Sequence, residues 1–297
     1  MQLLFVVLGA AAPWCAHGYL PVFMMHGVGS GASEMATIQR LAEAAHPGQV
    51  LTSLPLYEGH TDSLERLNAQ AAGVAAAIRA AVAANASLYE NGYHLVCKSQ
   101  GGLICRAALM QMDDHKTDTF VSLAGPQVGV FGSAFFKSIT SSPLLENLTA
   151  EEAYRVAYTL PAQLTLSVAN MWRDPKHLGD YLSGNRFLPA ITENAGAAGR
   201  ANFVRLKKAV FCVGSGPSYD GGIEPWQSAV FGAAGADGVI RPMEDQDFYK
   251  SDTFGLRTLH ESGRLNFTVV PNATHGSWTG DEAQITALVL PHIASYA

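Results

Sequence analysis

The chain has 297 residues, of which 48% are hydrophobic and 15% are charged, and its formal net charge is −6. This composition excludes a disordered polypeptide, because a chain with so much apolar surface can bury a large core. The negative balance, together with the lack of any basic run in the sequence, argues against nucleic acid as the main partner.

The N-terminus begins with a short apolar run, Leu3–Ala12, which is too short to span a bilayer. Small residues follow, and Ala16-His17-Gly18 is a suitable cleavage site, so we predict a secretory signal peptide over residues 1–18. No Lys or Arg precedes the run, and a buried first strand therefore stays the alternative. We expect no membrane helix further along the chain, because no later stretch reads as long and apolar enough.

The sequons and cysteines bear on the same question of cellular location. A group of four sequons favours the secretory pathway and glycosylation, although a single sequon occurs by chance. They begin at Asn85, Asn147, Asn266 and Asn272. A cleaved chain would keep three cysteines (Cys97, Cys105 and Cys212), which permits one disulfide with one free thiol, or no disulfide at all.

Strands and helices are predicted to alternate in the first part of the chain. Asp62 with Glu65 resembles a capping box, so the alanine-rich segment behind it should be a helix that runs to about Ala84. The alternation predicts a parallel sheet with helices on both faces. The other predicted elements are strands at 19–27, 49–57, 93–97 and 119–125, and helices at 34–45 and 101–112.

This rhythm changes after Pro126. From there to about Asn202 the sequence shows helical patterns and turns but no clear strand, which predicts a helical cap inserted into the sheet. Strands resume at 209–216 and 264–271, and a helix is predicted over 280–293. We therefore expect a single domain over 19–297, with residues 126–202 as its helical cap.

Ser99 lies between a predicted strand and a predicted helix, in the segment Cys97-Lys98-Ser99-Gln100-Gly101. A tight turn at this junction exposes the hydroxyl beside the positive end of the helix, which suits a nucleophile that generates an oxyanion. The usual pattern is G-x-S-x-G, and here cysteine replaces the first glycine. A helix N-cap serine is the structural alternative.

Two further residue types favour catalysis, because this fold uses the chain order serine, acid, histidine. His275 follows the last predicted strand, whereas His260 and His292 fall within helical patterns. For the acid, Asp220 follows the strand at 209–216, and Asp237 comes 17 residues later. We prefer Asp220, because chemistry in α/β sheets collects at the carboxyl ends of strands, although either aspartate could be a turn residue.

The glycine-rich loop after the first strand, HGVGSGASE, predicts half of an oxyanion hole. We expect the backbone N–H of Val28 to supply one donor and that of Gln100 to supply the other. The same glycines could suggest a dinucleotide loop, but the spacing of Gly27, Gly29 and Gly31 does not match G-x-G-x-x-G. We expect no cofactor and no metal.

Several segments together resemble the palmitoyl-protein thioesterases, in an order and spacing that agree from Pro21 to the C-terminus. The segments are VCKSQGGLICRAAL (96–109), MDDH (112–115), DGGIEPWQSAVFG (220–232), DTFGLRTL (252–259) and the loop of His275. The resemblance implies an α/β-hydrolase fold, a lysosomal or secreted location and hydrolysis of long-chain acyl thioesters. Ser99, Asp220 and His275 match the family's nucleophile, acid and base.

The resemblance also bears on two residues beside the nucleophile. One branch of the family pairs a cysteine two residues before the serine with one eight residues further on, which implies a disulfide between Cys97 and Cys105. Lys98 departs from the family, since an aromatic residue is usual beside the nucleophile. This departure leaves the acyl or headgroup preference open.

A long acyl chain needs an apolar groove, because each buried CH₂ contributes roughly 0.8 kcal/mol. We expect Phe131 and Trp172 to contact the substrate, although packing within the cap is the alternative for each. Further candidates are Phe135, Phe136, Leu144, Leu145, Leu160, Leu164, Met171 and Phe187. Two other functions remain open, a lipase or carboxylesterase acting on oxyesters and a non-catalytic lipid-binding protein, and the oligomeric state is undetermined.

Overall fold

The computed structural model describes residues 18–132, 149–216 and 220–296 of the chain. Most of the predicted signal peptide therefore lies outside the described residues. The same holds for the sequon at Asn147 and for four candidate substrate contacts, Phe135, Phe136, Leu144 and Leu145.

The centre of the described structure is a six-stranded sheet in which every neighbouring pair of strands is parallel. Parallel strands need crossover connections, and helices follow most of these strands along the chain. The strands are β1 (Val22–Met25), β2 (Leu51–Ser53), β3 (Tyr93–Lys98), β4 (Thr117–Leu123), β5 (Lys208–Ser215) and β8 (Leu265–Pro271). Their order across the sheet is β2-β1-β3-β4-β5-β8. A separate antiparallel pair joins β6 (Ala233–Ala234) to β7 (Ile240–Arg241).

Helices cover both faces of the sheet, and short 3₁₀ turns connect several of them. These turns are Ala32–Met35, Pro175–His177, Trp226–Val230, Met243–Asp245 and Leu290–His292. The α-helices of the described residues are α1 (Ala36–Ala45), α2 (Gly59–Asp62), α3 (Leu67–Ala84), α4 (Gln100–Gln111), α5 (Ala150–Ala157), α6 (Leu160–Thr165), α7 (Ser167–Met171), α8 (Leu178–Gly184), α9 (Leu188–Ile191), α10 (Gly196–Phe203), α11 (Asp247–Lys250), α12 (Leu256–Glu261), α13 (Ser277–Gly280) and α14 (Glu282–Leu288).

The sheet is buried on both faces, which explains why its strands read as continuous apolar runs. Successive side chains of β1 point to opposite faces, so Phe23 and Met25 join the core that α3 and α4 cover. Val22 and Met24 join the opposite core, which α1 and α14 cover. The predicted parallel sheet with helices on both faces is therefore confirmed.

The predicted capping box at Asp62 and Glu65 is wrong. Asp62 ends the short helix α2, and α3 begins only at Leu67 without a side-chain cap from its own N-terminal flank. Instead, Asn170 reaches α3 from 103 residues away and accepts the Leu67 N–H through Oδ1 at 2.8 Å. A distant side chain thus satisfies one of the unpaired N–H groups of the helix.

Two other boundaries differ from the prediction. The strand expected over 49–57 is limited to β2, and the helix expected over 280–293 is broken into α14 and a 3₁₀ turn, Leu290–His292. Pro291 occupies the first turn of that 3₁₀ segment, where its missing N–H interrupts continuation of α14. Neither change moves a predicted site residue from one end of the sheet to the other.

Between β4 and β5 the described residues form helices and turns together with one isolated parallel bridge, from Val130 to Trp172. Part of the predicted cap, residues 133–148, falls outside the described chain. The division into one domain with an inserted cap over 126–202 stays a prediction.

The helix α3 corrects another expectation. With 18 residues and a mean hydropathy of 1.3, it is long and apolar enough to cross a membrane by length and composition alone, so the expectation that no later stretch is long and apolar enough is wrong. One face of α3 nevertheless lies in the core beside α4, where Leu67, Val74 and Ile78 are fully buried. That packing is typical of a core helix.

Candidate active site

The loops that carry the predicted site residues meet at the carboxyl edge of the sheet. Met25 at the end of β1 pairs with Cys97 near the end of β3, so the two following loops start side by side. The end of β5 lies against the loop after β8, because a Cβ on Gly214 would lie 1.8 Å from the Ala273 carbonyl oxygen. Ser99, Asp220 and His275 therefore follow strands that all end at this edge.

Ser99 occupies a strained turn between β3 and α4. Its φ of 53° and ψ of −128° are unusual for a residue with a side chain, and its N–H donates to the Leu123 carbonyl at 2.8 Å. The turn brings backbones close together, since a Cβ on Gly101 would lie 2.5 Å from the His26 carbonyl oxygen. This crowding is the physical reason for glycine after the serine in such turns.

Cys97 and Cys105 form a disulfide across the same turn, joining the end of β3 to the second turn of α4. The family resemblance implied this pair. Cys212 on β5 is a buried free thiol, and burial raises its pKa to about 12, so it stays protonated.

Asp220 and His275 are bonded to each other. His275 Nδ1 donates to the Asp220 carboxylate, and the His275 backbone N–H donates to the Asp220 carbonyl at 2.6 Å. The second carboxylate oxygen accepts Trp278 Nε1–H at 3.2 Å. Since the carboxylate can only accept, Nδ1 carries the hydrogen, and in the neutral form of the ring Nε2 is an acceptor.

The burial of this pair suits a base with its orienting acid. The Asp220 side chain is fully buried, whereas 24% of the His275 side chain is exposed. Gly222 makes room for the ring, because a Cβ there would lie 2.6 Å from His275 Cγ. The imidazole is thus fixed from one side and accessible from the other.

The other candidates for the acid and the base have other partners. Asp237 is in the exposed turn between β6 and β7, where its pair with Arg241 at 2.6 Å holds its pKa below the usual range. His260 Nδ1 lies 2.7 Å from the Tyr249 hydroxyl, and His292 Nδ1 lies 3.0 Å from the ammonium of Lys208. The structure therefore brings Asp220, and not Asp237, to His275.

The two predicted oxyanion donors belong to segments that lie next to Ser99. Gln100 is the first residue of α4, and Val28 lies in the loop after β1. This loop contacts the serine, since a Cβ on Gly27 would lie 2.9 Å from Ser99 Cβ and 3.5 Å from its Oγ. Within the described chain, neither the Val28 nor the Gln100 N–H donates a hydrogen bond to the protein. Both donors therefore remain available to a ligand.

Sequence reasoning missed a buried ion pair in this loop. Glu34, in the 3₁₀ turn Ala32–Met35, accepts the Gly27 N–H through Oε2 at 2.8 Å and pairs with Lys98 through Oε1. Only 8% of the Lys98 and 15% of the Glu34 side chain is exposed. No local pattern marks Glu34, because its partners lie in the loop after β1 and on β3.

Of the two predicted substrate contacts, Phe131 is partly buried and Trp172 is almost completely buried. Their ring centroids lie 5.3 Å apart. Phe131 also lines a mainly apolar cavity of about 250 Å³, together with Val128, Val130 and Ile240. Phe131 thus faces open space, and Trp172 packs against it.

Three of the four predicted glycosylation sites fall on described residues, and Asn85, Asn266 and Asn272 are all exposed. Asn272 adopts a positive φ of 61° in the loop that leads to His275. A glycan is sterically possible at each of the three positions.

The chain matches the family described as palmitoyl protein thioesterase over residues 21–275, a range that starts just before β1 and ends at His275. The chain belongs to the palmitoyl-protein thioesterase family. The resemblance inferred from the sequence motifs is therefore confirmed, and so is the prediction of a thioester hydrolase.

Individual relatives of this thioesterase-family chain agree over nearly its whole length. Lysosomal thioesterase PPT2 of Homo sapiens is 35% identical over 97% of this chain and 92% of its own. The lysosomal thioesterase PPT2 homolog of Drosophila melanogaster is 32% identical over 99% of this chain and 98% of its own.

A solved structure bears on the fold of this thioesterase-family member. Esterase RhEst1 from Rhodococcus sp. ECU1013 shares 14% identity, covers 94% of this chain and 92% of its own, and superimposes with a TM-score of 0.51. At that identity the likeness concerns the fold alone, and it confirms the predicted α/β-hydrolase architecture.

Proposed function

We propose that this thioesterase-family member hydrolyses long-chain fatty acyl thioesters through a Ser99–His275–Asp220 triad and an acyl-enzyme. The observation that carries the proposal is the bonded His275–Asp220 pair at the sheet edge where Ser99 sits in its strained turn. An N-cap serine needs neither the positive φ nor a buried acid–imidazole pair beside it. Names of relatives such as lysosomal thioesterase PPT2 supply the reaction class.

In the first step His275 Nε2 takes the hydroxyl proton of Ser99 as Oγ attacks the thioester carbonyl carbon. Asp220 holds the ring with Nδ1 protonated and stabilises the imidazolium that forms. Trp278 keeps the carboxylate aligned by occupying its second oxygen. The buried acid therefore acts through the orientation and charge of His275.

The tetrahedral intermediate carries its negative charge on the former carbonyl oxygen. The Val28 and Gln100 N–H groups are the donors for this oxygen, and Gln100 adds the positive end of α4. One such donor is typically worth about 10²–10³-fold in rate, or about 3–4 kcal/mol.

Collapse of the intermediate expels a thiolate and leaves the acyl group on Ser99. A thiol has a pKa near ~8.5, so the leaving group needs less help from the imidazolium than an alcohol does. Water then attacks the acyl-enzyme with His275 as the base, which releases the fatty acid and restores the serine hydroxyl.

The acyl chain needs an apolar channel, and we propose that Phe131, which lines a mainly apolar cavity, contacts the chain with Trp172 as its support. We also propose a lysosomal location reached through the secretory pathway. The predicted signal peptide, the exposed sequons and the names of the lysosomal relatives support this route.

The substrate class is tested by palmitate release from palmitoyl-CoA, from an S-palmitoylated peptide and from a matched palmitoyl oxyester. We expect both thioesters to be cleaved with a higher kcat/KM than the oxyester. A preference for the oxyester would replace the thioesterase by a lipase or carboxylesterase.

A fluorophosphonate probe separates catalysis from mere lipid binding. The native chain should be labelled, and Ser99→Ala should lose both the label and the activity. Absence of labelling and turnover in the native chain would favour a non-catalytic lipid-binding protein instead.

A further inference from the structure

The Glu34–Lys98 pair lies against the residues proposed to react. Lys98 directly precedes Ser99, and Glu34 follows the loop that carries Val28. A Cβ on Gly27 would lie 3.5 Å from Ser99 Oγ and 3.6 Å from Glu34 Oε2, so the same small volume borders the hydroxyl and the carboxylate. An uncompensated charge this close to a reacting group would act strongly on it, because charges interact more strongly in the protein interior than in water.

The charge state of Glu34 is set by its partners. Burial alone would raise the pKa of Glu34, but the Lys98 ammonium, the Gly27 N–H and the charge of His275 together hold that pKa below its usual range. Glu34 is therefore an anion, and it interacts electrostatically with His275 as well as with Lys98. A buried anion here would stabilise the imidazolium and oppose the negative charge of the tetrahedral intermediate bound to Ser99.

The carboxylate also has a mechanical role. Its Oε2 accepts the Gly27 N–H at 2.8 Å, and Ser63 Oγ accepts the Gly29 N–H at 2.8 Å. The two N–H groups on either side of Val28 are thus both anchored, while the Val28 N–H has no acceptor within the described chain. Such anchoring fixes the direction of the free N–H between them.

We propose, building on the proposed hydrolase function, that Glu34 and Lys98 form a positioning pair for the oxyanion hole. Glu34 holds Gly27 and so orients the Val28 N–H, and Lys98 cancels the negative charge that Glu34 would otherwise set against the tetrahedral intermediate. Neither residue touches the substrate or exchanges a proton with it.

The pH profile around His275 reports on this charge balance. Three charged groups bear on this balance. Asp220 lies in the loop after β5, Glu34 lies in the 3₁₀ turn Ala32–Met35, and Lys98 lies at the end of β3. The loop itself is flanked by His26, whose ring contacts the Gly27 and Leu56 carbonyl oxygens, by His60 beside Gly29, and by Glu58, which accepts the Ala32 N–H.

The test is a double-mutant cycle of Lys98→Met, Glu34→Gln and the double variant, with kcat and KM for palmitoyl-CoA measured across pH. Lys98→Met leaves an unpaired carboxylate, so we expect kcat to fall about 10²-fold with little change in KM. The double variant keeps an acceptor for Gly27 without either charge, and we expect it to recover at least about tenfold over Lys98→Met.

The two single variants should also displace the acid limb of kcat/KM in opposite directions. Lys98→Met removes a positive charge and leaves the Glu34 carboxylate unpaired near His275, which favours the imidazolium and moves the limb to higher pH. Glu34→Gln removes the negative charge, leaves the Lys98 ammonium unpaired and moves the limb to lower pH, in each case by roughly 0.5 to 1 pH unit. If Lys98→Met does not fold, the displacement of the acid limb in Glu34→Gln decides the test by itself.

Lys207→Met is the matched control, because Lys207 pairs with Asp118 at 2.8 Å near the start of β4, at the opposite edge of the sheet. It should leave the acid limb in place. Additive losses in the cycle, or equal displacements in both single variants, would overturn the positioning pair. A native chain that neither hydrolyses palmitoyl-CoA nor takes a fluorophosphonate at Ser99 would instead overturn the proposed function.

Discussion

At the scale of single residues, burial separates the two candidate aspartates more clearly than their sequence patterns do. Asp220 and Asp237 both precede glycine and both follow a strand of the described structure. Only Asp220 is buried against the imidazole, whereas Asp237 is exposed and paired with Arg241. The same Asp-Gly turn pattern therefore occurs once with a buried aspartate bonded to an imidazole and once with an exposed aspartate in an ion pair.

We expect Asp220→Asn to lower kcat by about 10⁴-fold, because an amide facing Nδ1 favours the wrong imidazole tautomer. Asp237→Asn should keep most of the activity, since it breaks only an exposed ion pair. Palmitate release from palmitoyl-CoA measures both variants. The reverse ranking would show that the acid of the triad has been misassigned.

Sequence reasoning could find the residues that chemistry constrains by type and order. Ser99 follows an apolar run and precedes two glycines, and His275 follows the last strand, so both have local signals. Glu34 has none, because its significance depends on Gly27 and Lys98, which approach only when β1 and β3 pair. Contacts between distant segments of the chain produce no periodic pattern in the sequence.

At the scale of elements, the strand–turn–helix unit of β3 and α4 places the hydroxyl. Gly101 and Gly102 lie on the first turn of α4, where the helix approaches β1 and β4. A Cβ on Gly101 would meet the His26 and Met25 carbonyl oxygens at 2.5 Å and 2.7 Å. The close approach is to backbone atoms, which cannot rotate away as a side chain can.

We expect Gly101→Ala to push α4 away from β1 and so to displace Ser99 from its oxyanion donors. Activity should fall by at least about 10²-fold, with a loss of stability of about 1–3 kcal/mol. Gly179→Ala in α8 is the matched control, because its Cβ would meet nothing within 4 Å, and it should keep the activity. Urea unfolding and palmitoyl-CoA hydrolysis measure the two effects, and equal behaviour of the variants would contradict this account.

Helix starts were harder to predict than strand positions, and α3 shows why. Its first N–H is capped by Asn170, a residue 103 positions later, so the helix begins five residues after the apparent capping box at Asp62. Strands such as β3, β4 and β5 were found to within a few residues, because burial on both faces requires continuous apolar runs.

At the scale of the whole molecule, the buried histidine His94 links folding to pH. It lies on β3 with its side chain completely buried, and its Nδ1 is 3.8 Å from Asp118 Oδ1. Neither ring nitrogen has a hydrogen-bond partner within the described residues. Burial lowers the pKa of His94 to about 4, Asp118 opposes this change, and Lys207 and His46 add to it.

Because the folded pKa lies below the unfolded value of ~6.5, the unfolded chain binds more protons between these two values. The contribution of His94 to stability is thus present above pH ~6.5 and is lost as the pH falls toward about 4, by about 3 kcal/mol at most. His292, whose pKa burial also lowers to about 4, acts in the same direction.

We expect His94→Leu to reduce the loss of unfolding free energy between about pH 7 and about pH 4, while the wild-type chain retains the full loss. Urea unfolding at both pH values measures this difference. An identical pH dependence in the His94 variant and the wild type would contradict the role of His94.

The most direct measurement is rapid acid quenching of the enzyme during turnover of palmitoyl-CoA, followed by mass spectrometry of its peptides. We expect one palmitoyl group on Ser99, absent from Ser99→Ala and slow to form in His275→Gln. Turnover that persists in Ser99→Ala, or acylation of a different residue, would contradict it.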